Sequence, residues 1–166
     1  MDKANILPFA RDEVCFGFEL GAQLNAHLQQ AASLISTKSE SLKALLEAYE
    51  QSPQQLEVLT ALYKFYFYQG ELEKAEKIVF QSLIQASIQG GFNHNWESLT
   101  PESSNWSELR GPSRTFLYSL KALAFIRLRQ EDLRCCKKIL EVLQLLDPND
   151  QIGAEVIRSL YLGIKG

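Results

Sequence analysis

Apolar residues in this chain recur every three or four positions rather than every second one, the spacing of amphipathic helices. Leu20, Leu24, Leu28, Ala31 and Ile35 define one stripe, and Leu42, Leu45, Leu46 and Tyr49 a second. The polar run Ser36, Thr37, Lys38 and Ser39 lies between them, ending one helix and supplying caps for the next. Ser52 before Pro53 predicts a third helix over about 53–68, because proline at the first helical position gives up an amide that has no partner there. This helix carries Tyr63, Phe65, Tyr66, Phe67 and Tyr68. At about 100° per residue these rings cannot share one face, so the helix must be covered from more than one side. Gln69 and Gly70 make a turn, and Leu72, Ala75, Ile78, Val79 and Leu83 form the stripe of a fourth helix, with Glu71 and Glu73 at its positive end.

The pattern breaks between Gly90 and Pro112, where Gly91, Pro101 and Gly111 stand among polar residues. Trp-x-x-Leu occurs twice in this stretch, as Trp96 to Leu99 and Trp106 to Leu109. Helical spacing resumes through Phe116, Leu120, Leu123, Ala124 and Ile126 or Arg127, turns at Gln130 to Asp132, and returns through Leu133, Cys136, Ile139, Leu140 and Leu143. Asp147, Pro148 and Asn149 open a last helix bearing Ile152, Val156, Leu160 and Ile164, which reads as a terminal cap. Residues 1–13 lack periodicity and read as an N-terminal tail. The expectation is one all-α domain over 14–166, of about seven helices, with an inserted loop at 90–112.

Two stretches share a finer pattern. Leu59, Leu62, Tyr66, Gly70, Leu72 and Ala75 form one unit; Leu120, Leu123, Ala124, Leu133, Cys136, Leu140, Leu143, Asp147 and Pro148 form another. These offsets resemble the tetratricopeptide repeat, a helix-turn-helix of about 34 residues. Numbered from Leu117, the second unit has Leu120, Leu123, Ala124, Cys136, Leu143 and Pro148 at the family's tryptophan-or-leucine, leucine, small, alanine, alanine and proline positions. The first unit, numbered from Leu56, has Tyr63 where the family uses a small side chain, and the second has Arg127 in place of the usual tyrosine. A weaker unit from Ala22 places Leu28, Leu45, Ala48 and Pro53 at matching offsets. The resemblance implies antiparallel helix pairs stacked as a short right-handed solenoid, with the two good units separated by the insertion.

Composition adds exclusions. The formal charge of −3 over 166 residues offers no electrostatic basis for nucleic-acid binding. No segment reaches the roughly 20 apolar residues that cross a bilayer. The odd count of three cysteines, with Cys135 and Cys136 adjacent, argues against a disulfide framework, and the acidic Asp12 and Glu13 do not suit a signal peptide. A reducing, cytoplasmic location is expected. No Cys-x-x-Cys, His-x-x-x-His, phosphate loop or nucleophile elbow is present, so the expectation is no catalytic residue, no metal site and no cofactor. His94 beside Trp96 invites an enzymatic reading, but the other histidine, His27, is distant in sequence.

In the family it resembles, the first helix of each unit lines a concave groove. Carried over, those positions are Glu57, Thr60, Lys64, Phe67 and Tyr68, then Tyr118, Lys121, Phe125, Leu128 and Arg129. Lys64, Phe67, Tyr68, Lys121, Phe125 and Arg129 combine aromatic and cationic groups that suit a peptide with apolar anchors and a carboxylate. The plainer reading puts the aromatics in the core and the cations in solvent. Trp96 and Trp106 either contact a partner or pin the insertion to the helices. The basic segment Arg114 to Lys138 suits either an acidic protein surface or a solvated face. The function expected is non-catalytic protein binding, by an adaptor or chaperone that holds a peptide segment or helix of another protein. Alternatives are a self-associating assembly subunit, such as a homodimer, a bacterial secretion-type chaperone, and an uncharacterised enzyme.

Overall fold

A computed structural model describes residues 38–166. Among the described residues the chain is all-α, with six helices and no strand. These are α1 (Lys38–Gln51), α2 (Leu56–Tyr68), α3 (Leu72–Gly90), α4 (Pro112–Arg129), α5 (Leu133–Leu146) and α6 (Glu155–Lys165). The expected tail, the Leu20 to Ile35 stripe and most of the unit from Ala22 lie outside the described residues. Consecutive helices pack on each other, α3 most extensively on α2 and α4, and α2 also touches α4 directly.

In α3, α4 and α5 the stripes read from the sequence are the buried faces, while in α1 Leu45 is buried and Leu46 is exposed. Ala75, Ile78, Val79 and Leu83 of α3, Leu120, Leu123 and Ala124 of α4, and Cys136, Ile139, Leu140 and Leu143 of α5 all join one core. Ser82 and Ser119 are fully buried where α3 crosses α4 and share a 2.8 Å hydrogen bond, so their hydroxyls satisfy each other at a close helix contact.

The turns joining α2 to α3 and α4 to α5 have the same backbone bonding. In the first, the amides of Gln69, Gly70 and Glu71 donate to the carbonyls of Phe65, Phe67 and Tyr66. In the second, Gln130, Glu131 and Asp132 donate to Ile126, Leu128 and Arg127. The pattern closes each helix with one left-handed residue, Gly70 at φ 76° and Glu131 at φ 62°. Asp132 then caps α5, its Oδ1 accepting from the Cys135 amide at 3.1 Å.

Three boundaries differ from expectation. Residues 52–55 form a turn, in which the Gln55 amide donates to the Ser52 carbonyl, so α2 starts at Leu56 instead of Pro53. The loop over 90–112 is folded back as two single 3-10 turns, Trp96–Ser98 and Pro101–Ser103. Its anchor is aromatic: Trp106 is buried between Phe92 and Phe116, with ring centroids 5.0 and 6.0 Å away, and its Nε1 donates to the Thr100 carbonyl at 3.0 Å. Phe92 lies so close over Gly90 that any Cβ there would collide with its ring. Finally, α6 buries Ile157 and Tyr161 and leaves Val156, Leu160 and Ile164 of the expected stripe exposed. The reason is local. Ile152 is buried in the loop before the helix, where Asp150 and Gly153 adopt positive φ, so helical phase does not run through it.

Candidate functional site

Tyr63, Lys64, Phe67 and Tyr68 of α2 and Ala122 and Ile126 of α4 line a shallow depression between the two helices. Its cavity volume of about 10 Å³ is that of one water molecule, too small for a cofactor or metabolite but open to a side chain laid across it. Lys64 and Tyr68 stand one helical turn apart on the same face. Phe67 is buried beneath them and meets Phe125 of α4 edge to face, with centroids 5.1 Å apart; Phe125 is itself buried and does not line the depression, so it is a core residue and not the groove residue expected. Tyr68 keeps 39% of its surface exposed, and its ring meets Phe67 at 6.1 Å.

The floor of this depression is Tyr63, which is fully buried. Loss of solvent pushes its phenol up to about 12. Ser119 and Thr60 lie close enough to offset part of that rise, yet neither makes a hydrogen bond of good geometry to the phenol oxygen. The Tyr63 ring thus fills space between α2 and α4 and lines the depression beside Ala122 and Ile126.

Lys121 is a correction. It is 2% exposed, and its Nζ donates to the Ile152 carbonyl at 2.7 Å, so it does not line an open groove. Arg114, one of the other cations expected to face an acidic partner, donates to the Gln151 carbonyl at 2.8 Å and lies over the Tyr118 ring. Together they tie α4 to the loop ahead of α6. That loop is knitted by two carboxylates: Asp147 accepts from the amides of Gln151 and Ile152, and Asp150 from those of Ala154 and Glu155. Arg127 forms a half-buried ion pair with Glu76 of α3 and also donates to the Gln130 side chain, so this cation is held between helices. Arg129 is exposed in the last turn of α4.

Trp106 pins the insertion, as one of the two sequence readings had it, and Trp96 is partly buried against the same core. Glu97 beside it reaches Lys138 of α5 at 4.0 Å. No residue of the insertion lines the depression, so it is not a lid over these groove residues. His94 is exposed, and among the described residues no group of three or more His, Cys, Asp or Glu is placed to hold a metal ion. Burial pushes the thiol of Cys136 up to about 11 and also raises that of Cys135. Both are free thiols. No described helix is long and apolar enough to cross a membrane.

The chain matches no protein-family model, and no curated protein or solved structure matches it significantly.

Proposed function

We propose that this chain is a non-catalytic protein-binding module built of tetratricopeptide-like helix pairs, which holds a peptide segment or helix of a partner across α2 and α4. The observation that carries this reading is one shallow, mainly apolar depression lined by Lys64, Phe67 and Tyr68 of α2 together with Ala122 and Ile126 of α4. Such a surface suits an apolar anchor residue with a carboxylate nearby. The repeat reading draws further support from the turns at Gly70 and Glu131, whose bonding is the same. The partner is a protein chain, and the module works as an adaptor or chaperone in a reducing compartment.

The test is paired affinity capture from the native cell extract. The wild type is compared with a variant carrying Lys64→Glu, Tyr68→Glu and Arg129→Glu, all at positions that reach solvent. Lys121 is left intact because reversing a buried, hydrogen-bonded cation would unfold the protein. A partner held by the wild type and lost by a variant with unchanged circular dichroism and melting supports the groove. A partner held equally by both overturns it.

A further inference from the structure

The depression between α2 and α4 has a cation on each wall. Lys64 stands beside Tyr68 on α2, and on α4 the exposed Arg129 continues the line of Ala122 and Ile126 at the spacing of one helical face. A chain that matches this surface presents an aromatic or aliphatic anchor between carboxylates. Lys64, Phe67 and Tyr68 each carry a further contact in the folded chain, beyond the ring pairs of Phe67 with Phe125 and Tyr68. The α2 wall is therefore already engaged.

We propose that the occupant is a segment of the same chain, residues 9–20, which holds the depression in competition with a partner. This deepens the proposed function and rests on the depression being a peptide site. In this segment Phe16 and Phe18 supply the anchors, Asp12, Glu13 and Glu19 flank them, and Arg11 is the single cation. The excess of negative charge opposes Lys64 and Arg129. Of the nine phenylalanines in the chain, three lie at positions 9, 16 and 18. Phe67, Phe116 and Phe125 are buried, Phe65 and Phe92 pack against the core, and Phe80 is fixed on α3, so residues 9–20 are the chain's remaining source of aromatic anchors set among carboxylates.

The point of attachment also fits. Residues 1–37 join α1 at Lys38, and α1 packs on α2, the first wall of the depression. Residues 20–35, if helical as their spacing predicts, span about 24 Å at 1.5 Å per residue, comparable to the length of α2. Residues 9–19 reach about 36 Å further when extended, enough to cross from α2 to α4. A tethered segment at an effective concentration of about 1 mM lowers the apparent affinity of a competing chain about tenfold when its own dissociation constant is about 0.1 mM.

Carbodiimide coupling, which joins a lysine amine to a touching carboxylate with loss of water, tests this on the unaltered full-length protein. The expected product has the mass of one chain, with Lys64 linked to Asp12, Glu13 or Glu19 in the peptide map. A fluorescein-labelled synthetic peptide of residues 9–20 supplies the second readout. The full-length Phe16→Ser/Phe18→Ser variant is expected to bind it about tenfold more tightly than the wild type, and adding Lys64→Glu and Tyr68→Glu to abolish binding, with unchanged circular dichroism throughout. No link from Lys64 to these carboxylates, links only between two chains, or equal binding of the peptide by wild type and Phe16→Ser/Phe18→Ser overturns the proposal and leaves the groove itself to the paired capture. A groove variant that loses the peptide but still captures the partner overturns the partner site and keeps the contact within the chain, so the two failures are told apart.

Discussion

Lys121 on α4 and Ile152 in the loop before α6 are joined by a hydrogen bond of 2.7 Å from the lysine Nζ to the isoleucine carbonyl oxygen. Both residues are buried, and the carbonyl would have no solvent to turn to if the lysine were removed. Lys121→Met is therefore expected to destabilise the fold by about 1–3 kcal/mol, the cost of a buried acceptor left without a donor. Urea unfolding measures it. Hydrogen exchange should locate the loss first in residues 147–161, since α6 hangs on this loop.

Gly70 and Glu131 occupy the same left-handed position in turns with the same bonding, and only one of them is a glycine. A side chain in that conformation costs about 1–2 kcal/mol. Glu131→Gly is expected to stabilise the protein by up to about 1 kcal/mol, after the entropy glycine adds to the unfolded chain. Gly70→Ala should destabilise by a similar amount although there is open space around its Cα. Thermal melts of the two variants check both signs.

Tyr63 makes stability fall in alkali. Its phenol ionises near 10 in the unfolded chain and at about 12 in the folded one. Between those values the unfolded state has given up the proton and the folded state has kept it, so rising pH favours unfolding, by at most about 1.4 kcal/mol per pH unit. Tyr63→Phe is expected to remove this slope while leaving the buried thiol of Cys136, which acts in the same direction from about 9 to about 11, unchanged. At neutral pH the variant should be at least as stable as the wild type, because the phenol oxygen makes no hydrogen bond. Denaturant midpoints measured from pH 8 to pH 11 on both proteins give the difference.

Trp106 holds the insertion through Phe92 and Phe116. Trp106→Ala should cost about 3–5 kcal/mol, as large buried aromatic truncations do, and open residues 91–111 to limited proteolysis. Trp96→Ala, at a partly exposed ring, should cost less and leave the 91–111 segment resistant. Unfolding curves and peptide mapping separate the two.

Much of the fold was legible in the sequence because helical periodicity is local information. The phases of α3, α4 and α5 follow from residues three and four apart, such as Ala75, Ile78, Val79 and Leu83, and the Trp106 anchor is one of the two roles the sequence left open for a large ring in a segment without regular structure. The sequence by itself determined helix type and the breaks at Gly70 and 90–112, and it singled out Lys64, Phe67 and Tyr68, which line one depression. Only the tertiary structure decided which long side chains go inside. A lysine is buried only if an acceptor waits for it, and for Lys121 that acceptor is a carbonyl 31 residues away in a loop. The phase of α6 was hidden for the same reason: Asp147 and Asp150 fold the loop so that Ile152 docks before the helix begins, turning Ile157 and Tyr161 inward and Val156, Leu160 and Ile164 out. Spacing along the chain specifies which residues share a face; which face meets the core depends on contacts that distant segments supply.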